Sequence, residues 1–161
     1  MIHYYKGTRY RPIERGIERD TKMNYAAILK FRNEMNPFAQ MLHIDATDLS
    51  EGYARAEMPV TEELYNPQGA VHGGVLYTLS DIAGGNAAAS HGEWIATLDA
   101  SMSYLRPALR PTKLIAEAHE LKHGKRVSVY DVKVTDQDGT VLTTGTFTFA
   151  SLGRKIEAAE E

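Results

Sequence analysis

The sequence predicts an α+β fold in which one long helix is wrapped by a curved antiparallel sheet of about six strands. Three observations support this prediction. A helix-forming stretch runs from Gly73 to about His91, a strand with period-two alternation follows it, and short turns join the strands after that. Because short turns connect antiparallel neighbours, the sheet can bury the helix by curving around it.

Length and composition favour a single soluble domain. The chain has 161 residues, so we expect one domain over residues 22–161 and an extended arm over residues 1–21. The net charge of −3 gives no general reason to expect nucleic acid as a partner. No apolar run approaches the roughly 18 residues of a membrane span. We expect a cytoplasmic protein, although eight basic residues against three acidic ones up to Arg32 leave a transit peptide as a minor alternative.

The elements before the long helix are short. Helical spacing over residues 22–36 predicts a helix that Pro37 ends. Two strands follow within residues 41–60 and are joined near residues 50–52, because apolar and polar residues alternate there from Tyr53 to Val60.

Four strands are expected after the long helix. Strict alternation from Trp94 to Tyr104 predicts the first. Residues 113–122, 125–135 and 140–151 predict the other three, which are joined by the turns "KHGK" and "DQDG".

The long helix has two distinct faces when it is drawn at about 100° per residue. The face expected to pack on the sheet consists of Leu76, Leu79, Ala83 and Ala87. A second stripe, here called the small-residue stripe, consists of Gly74, Thr78, Asp81, Gly85 and Ala88. Small residues allow another backbone to approach closely, so we interpret this stripe as a contact seam that contains a carboxylate. The alternative is that Asp81 is an ordinary solvated helix residue.

The residue types in the chain restrict the chemistry that an active site could use. The chain has no cysteine, which excludes disulfides, thiolate metal sites and a cysteine nucleophile. It also lacks the GxSxG and GxxxxGK[ST] motifs, and no predicted helix carries an HExxH motif. If the protein is an enzyme, carboxylate and histidine chemistry remain.

One set of motifs carries a resemblance to a known family. The set comprises Asn66, the triplet His72-Gly73-Gly74, Leu79, Asp81 and the segment "YLRPA" at residues 104–108. It closely resembles the hotdog-fold acyl-CoA thioesterases of the PaaI-like, phenylacetate-degradation type, and the similarity extends from about Met41 to Leu152. The resemblance implies an acyl-CoA substrate, no metal or bound cofactor, and a homodimer as the first unit of assembly. We expect two dimers to associate further into a homotetramer.

The resemblance also implies roles for individual residues. Asp81 corresponds to the acid that attacks the thioester carbonyl or activates a water, and the sequence leaves these two roles open. Gly73 corresponds to the residue whose backbone N–H binds the carbonyl oxygen at the helix N-terminus. Asn66 and His72 correspond to residues that shape and orient the same pocket. Asn66 is alternatively a turn residue, and His72 is alternatively a structural histidine at the start of the helix.

The family resemblance also includes a hydroxyl that positions the water. Some relatives have it one helical turn after the acid, where this chain has Gly85. Alignment on "YLRPA" points to Thr97 on the following strand instead. The alternative for Thr97 is an ordinary outward-facing strand residue.

Coenzyme A carries phosphates, so a local basic patch is expected. Six basic residues lie between Arg106 and Arg126, at positions 106, 110, 113, 122, 125 and 126. We assign Lys125 and Arg126 to phosphate binding, with solvated loop charges as the alternative. Gly74, the second glycine of the motif and a member of the small-residue stripe, is also assigned to substrate binding.

The sequence therefore predicts a thioesterase that hydrolyses aryl- or medium-chain acyl-CoA. Two alternatives remain open at this point. One is a hotdog dehydratase or hydratase, although the FPG-type stretch of the acyl-carrier-protein dehydratases is absent. The other is a non-catalytic acyl-CoA binding protein, because a fold does not fix its function.

Overall fold

A computed structural model describes residues 23–157 of the chain. The predicted N-terminal arm over residues 1–21 lies outside the described residues. The elements follow one another as helices α1 (Tyr25–Glu34) and α2 (Pro37–Met41), strands β1 (Asp45–Ser50) and β2 (Tyr53–Pro59), helix α3 (Gly73–Ala89), and strands β3 (Glu93–Tyr104), β4 (Lys113–Lys122), β5 (Val127–Asp136) and β6 (Val141–Lys155). A short 3-10 helix, Glu62–Leu64, precedes α3.

All six strands form one antiparallel sheet with the order β1-β2-β4-β5-β6-β3. Helix α3 packs against every strand of this sheet. The predicted fold class is thus confirmed: one long helix lies in the concave face of a six-stranded sheet.

The N-terminal helical region contains one helix more than predicted. Helix α1 begins after Asn24, whose side chain accepts a hydrogen bond of 3.0 Å from the Ala27 N–H. Helix α1 does end before Pro37, but Pro37 also occupies the first turn of α2, which Asn36 caps through the Ala39 N–H at 3.0 Å. Proline is favoured at that position because it has no N–H to leave unpaired there. The sequence interpretation treated Pro37 only as a stop signal and therefore missed α2.

The hydrophobic core lies between α3 and the sheet. The four helix residues predicted to face the sheet are all buried, with at most 2% of their surface exposed. The facing strand residues alternate in the expected way and include Ala54, Ala56 and Met58 on β2, Leu114, Ala116 and Ala118 on β4, Tyr130, Val132 and Val134 on β5, and Phe147 and Phe149 on β6. Within residues 23–157, the helices lack the length and apolar character that crossing a membrane would require.

The small-residue stripe of α3 is divided in two. Gly85 and Ala88 are buried within the single chain, and a Cβ at Gly85 would lie 3.5 Å from Ile95 and 3.6 Å from Arg32. Gly74 is exposed and Asp81 is half-buried. The close contact expected of the stripe is thus made at its C-terminal half by α1 and β3 of the same chain, so only the N-terminal half is open to a second chain.

Candidate active site

The first turn of α3 offers one backbone donor. His72 caps the helix, and its Nδ1 accepts a hydrogen bond of 2.9 Å from the Gly74 N–H. The Val75 N–H donates to the His72 carbonyl at 2.9 Å. The Gly73 N–H has no acceptor among residues 23–157. Because a helix N-terminus carries partial positive charge, this amide is suited to bind a carbonyl oxygen that develops negative charge.

His72 therefore has a structural role as the N-cap of α3. The sequence had left this role open as an alternative to a catalytic one. Since its Nδ1 accepts a hydrogen bond, the neutral ring carries its proton on Nε2. The same contact uses the Gly74 N–H, so this amide is engaged in capping in the structure.

Tyr104 packs closely against Gly73. Its hydroxyl donates a hydrogen bond of 3.0 Å to the Gly73 carbonyl. A Cβ on Gly73 would lie 3.1 Å from Cε1 of the Tyr104 ring. This distance is tighter than ordinary van der Waals contact, so a larger residue at position 73 would displace the ring.

A pocket of about 360 Å³ opens beside this turn. It is lined by Asn66, Ala70, Val71, Gly73, Leu76, Tyr104, Leu105, Arg106, Pro107 and Ala108. Arg106 is held by a hydrogen bond of 2.8 Å from its Nη1 to the Val141 carbonyl. The lining is mostly apolar with one cation, which suits an acyl chain or ring attached to an anionic carrier.

Asn66 lines the pocket and also organises the loop before α3. Its Oδ1 accepts hydrogen bonds from the Gln68 N–H at 3.0 Å and the Ala70 N–H at 3.1 Å. The side-chain amide NH₂ has no acceptor within residues 23–157. The structure thus combines the two interpretations of Asn66, because one end of the amide fixes a turn and the other is available to a ligand.

Asp81 and Thr97 are brought together across α3 and β3. The Thr97 hydroxyl donates a hydrogen bond of 2.9 Å to Asp81 Oδ1. A β-bulge makes this contact possible. Thr97 pairs with Phe149 and Asp99 pairs with Thr148, which leaves Leu98 as an extra residue between them.

The bulge changes which face of the sheet Thr97 occupies. Directly paired residues share a face, so Thr97 lies on the same face as the buried Phe149. Ala100 pairs with Phe147 and lies on that face as well. Unbroken alternation would have placed Thr97 and Ala100 on opposite faces, with Thr97 directed away from the helix.

Arg32 of α1 reaches the same region of α3, and sequence reasoning did not identify it. Its Nε donates a hydrogen bond to Oδ1 of the buried Asn86. Burial lowers the pKa of the Arg32 guanidinium to about 10, and the negative charge of Asp81 opposes this shift. Arg32 and Asn86 are 54 positions apart in the sequence, so no local pattern connects them.

Lys125 and Arg126 lie at the other end of α3. Their turn joins β4 to β5 and contains His123, whose ring stacks on His91 just beyond the C-terminus of α3. The structure therefore does not bring these two cations to the Gly73 pocket of the same chain. Of the basic patch, Arg106 lines the pocket. The sequence placed Arg106 in that patch, but phosphate binding was assigned to Lys125 and Arg126 instead.

Gly73 and Asp81 are separated within one chain. Eight residues along a helix correspond to about 12 Å, which is too far for both to contact one thioester carbonyl. In agreement with this estimate, Asp81 is absent from the residues that line the Gly73 pocket.

Comparisons with known proteins agree with the predicted family. The model of the thioesterase superfamily matches residues 68–143. The acyl-coenzyme A thioesterase PaaI of Escherichia coli strain K12 is 33% identical over 104 residues, which cover 65% of this chain and 74% of that protein.

Solved structures confirm the hotdog fold. The structure of the E. coli PaaI protein from the phenylacetic acid degradation operon is similar to this chain with a TM-score of 0.79 at 27% identity, covering 82% of this chain and 96% of that one. The crystal structure of smu.793 from Streptococcus mutans UA159 bound to acetyl CoA is similar with a TM-score of 0.67 at 27% identity, covering 70% and 91% of the two chains.

Proposed function

This chain belongs to the thioesterase superfamily, and we propose that it hydrolyses aryl- or medium-chain acyl-CoA thioesters to the free acid and coenzyme A. The observation that carries this proposal is the Asp81 carboxylate, which Thr97 holds at one oxygen while the second oxygen has no partner among residues 23–157. The names of the relatives support an acyl-CoA substrate, since one is an acyl-coenzyme A thioesterase and a structural neighbour was solved with acetyl CoA.

The Gly73 N–H is assigned as the oxyanion donor. The thioester carbonyl oxygen accepts this hydrogen bond, which strengthens as negative charge develops on that oxygen. The acyl group lies in the mostly apolar pocket beside Tyr104, and Arg106 is positioned to attract the anionic carrier.

Asp81 has two possible roles in the same reaction. As a nucleophile, it forms a bond to the carbonyl carbon, coenzyme A leaves as its thiolate, and water then hydrolyses the mixed anhydride. As a general base, it removes a proton from a water that attacks the carbonyl carbon directly, and the C–S bond breaks in the same way. Thr97 fixes the carboxylate in either case.

A twofold dimer resolves the separation of Gly73 and Asp81. If two α3 helices lie antiparallel, Asp81 of one chain faces Gly73 and Asn66 of the other, and the site occurs twice. The N-terminal half of the small-residue stripe supports this arrangement, because Gly74 is exposed and Thr78 and Asp81 are only half-buried within one chain. Lys125 and Arg126 keep their assignment to phosphate binding as a prediction that now also depends on a second chain.

The test is steady-state turnover of a panel of acyl-CoA thioesters, followed with a reagent that traps the released thiol. We expect turnover to be highest for aryl or medium-chain substrates and unchanged after exhaustive chelation, because no proposed step uses a metal. Binding of acyl-CoA without thiol release would identify a binding protein instead. Hydration of crotonyl-CoA without thiol release would identify a hydratase.

A further inference from the structure

We propose that His91, Glu120 and His123 form a binding site for a divalent transition-metal ion at the end of α3 opposite to Gly73. One possible ligand atom from each of the three side chains lies within 4.8 Å of the other two. His91 and Glu120 are half-buried and His123 is exposed, so an ion can reach them from solvent. This inference does not depend on the proposed thioesterase activity.

Glu120 is held in place before any ion binds. The Tyr130 hydroxyl donates a hydrogen bond of 3.2 Å to Glu120 Oε2. Gly52, at a positive φ of 68°, also lies against Glu120, and a Cβ there would be only 2.9 Å from the Glu120 Cβ. Partners of this kind orient a ligating carboxylate and are a usual part of metal sites.

His91 is fixed by the turn that ends α3. The Ser90 hydroxyl donates to the Ala87 carbonyl at 2.7 Å, and the Gly92 N–H donates to the Ala89 carbonyl at 2.9 Å. His91 Nε2 consequently lies 2.6 Å from Glu120 Oε2. Two of the three candidate ligands are therefore already adjacent.

The third candidate ligand is His123, which lies in the turn between β4 and β5. Its ring stacks on His91 with centroids 3.7 Å apart and an interplanar angle of 22°. In a tetrahedral site with bonds of about 2.1 Å, ligand atoms lie about 3.4 Å apart. The 2.6 Å contact between His91 Nε2 and Glu120 Oε2 must therefore open slightly, while His123 turns toward the ion. Rotation of the exposed His123 side chain provides the second adjustment without moving α3 or the sheet.

The ligand types define the class of ion. Two imidazole nitrogens and one carboxylate oxygen suit Zn²⁺, Co²⁺ or Ni²⁺, whereas Mg²⁺ and Ca²⁺ favour oxygen ligands. Three protein ligands leave at least one position for water. An imidazole nitrogen binds an ion only when it carries no proton, so affinity should fall as the pH is lowered.

The site is separate from the candidate active site. Asp81 and His91 are ten residues apart, which corresponds to about 15 Å along a helix. A bound ion would tie the C-terminal end of α3 to the β4–β5 turn. We therefore infer that the ion stabilises the fold and takes no part in the chemistry at Asp81.

The experiment is a titration of the full-length, untagged, chelator-treated protein with Zn²⁺, and with Co²⁺ to record the visible absorption of the bound ion. We expect one ion per chain and a Tm that rises with ion concentration. His123→Ala is the decisive variant because the residue is exposed in a turn, and it should weaken binding at least about tenfold. His91→Ala and Glu120→Gln should have the same effect.

His119→Ala is the matched control. His119 precedes Glu120 on β4, is exposed, and packs on Tyr53 with ring centroids 4.9 Å apart. This variant should bind the ion as the unaltered protein does. The proposal is wrong if the protein does not bind the ion, or if His123→Ala binds as tightly as His119→Ala does. Neither result bears on thiol release from acyl-CoA, so the two proposals can fail separately.

Discussion

Thr97 Oγ1 lies 2.9 Å from Asp81 Oδ1 and donates a hydrogen bond to it. This contact joins strand β3 to helix α3 at the carboxylate that we assign to catalysis. It fixes one carboxylate oxygen and leaves the other to face a substrate or a water.

Asp81→Asn should lower kcat at least about a hundredfold, the usual scale for the loss of a catalytic acid or base. The two side chains are nearly the same shape, so the fold and the oligomeric state should be retained. The measurement is thiol release from the best acyl-CoA substrate, with circular dichroism as the check on folding. Asp48→Asn, which changes an exposed aspartate on β1, is the control and should keep full activity. Near-normal turnover of Asp81→Asn would show that Asp81 is structural.

Thr97→Val should lower kcat about ten- to a hundredfold, because it removes a hydrogen bond to a charged group that is worth roughly 1.5–3 kcal/mol. Thr97→Ser keeps the hydroxyl and should retain most of the activity. Comparison of kcat and KM for the two variants separates loss of positioning from loss of substrate binding. Equal activity of the valine and serine variants would mean that the contact has no role in turnover.

Activity should reappear when two inactive variants share a dimer. Asp81→Ala and Asn66→Ala are unfolded and refolded together, and each mixed dimer then contains one site with both residues intact. Random pairing gives about a quarter of the wild-type activity. If each chain holds a complete site, activity stays at the level of the separate variants.

The structure suggests a second Asn66 variant for the same experiment. Asn66 Oδ1 fixes the loop before α3, so Asn66→Ala also removes two hydrogen bonds to backbone N–H groups. Asn66→Asp keeps an acceptor oxygen at that position and removes the side-chain NH₂. It should complement Asp81→Ala in the same way.

Arg32→Met should lower the free energy of unfolding by about 1–3 kcal/mol, the cost of leaving a buried polar group without its partner. The methionine keeps much of the apolar stem of the side chain, but Oδ1 of the buried Asn86 loses the hydrogen bond from Arg32. Urea denaturation measures the change. Lys30→Met on the exposed side of the same helix is the control, since 77% of the Lys30 side chain is exposed. A change no larger than that of the control would contradict this account of Arg32.

The sequence predicted most of the fold because its patterns are local. Alternation and turn residues identified all six strands, and the helix predicted from Gly73 to about His91 is observed as Gly73–Ala89. The four apolar positions expected to face the sheet are all buried. Helix α2 was missed because its signal, Asn36 followed by Pro37, was interpreted as the end of the preceding helix.

The candidate site was predicted less completely. Asp81, Gly73 and Asn66 were identified from spacing and resemblance, and their catalytic roles remain predictions. Arg106 was placed in the basic patch but was not assigned to phosphate binding. Arg32 was not identified at all, because its contact with Asn86 spans 54 positions.

By itself, the sequence determined which elements form, because helix and strand periodicity depend on residues a few positions apart. Only the tertiary structure decided which side chains meet. The bulge at Leu98 places Thr97 on the face of the sheet that α3 covers, and a one-residue shift of this kind moves a side chain to the opposite face. The register between β3 and β6 depends on pairing between strands far apart in the chain, so the contact between Thr97 and Asp81 could not be read from the alternation of β3 alone.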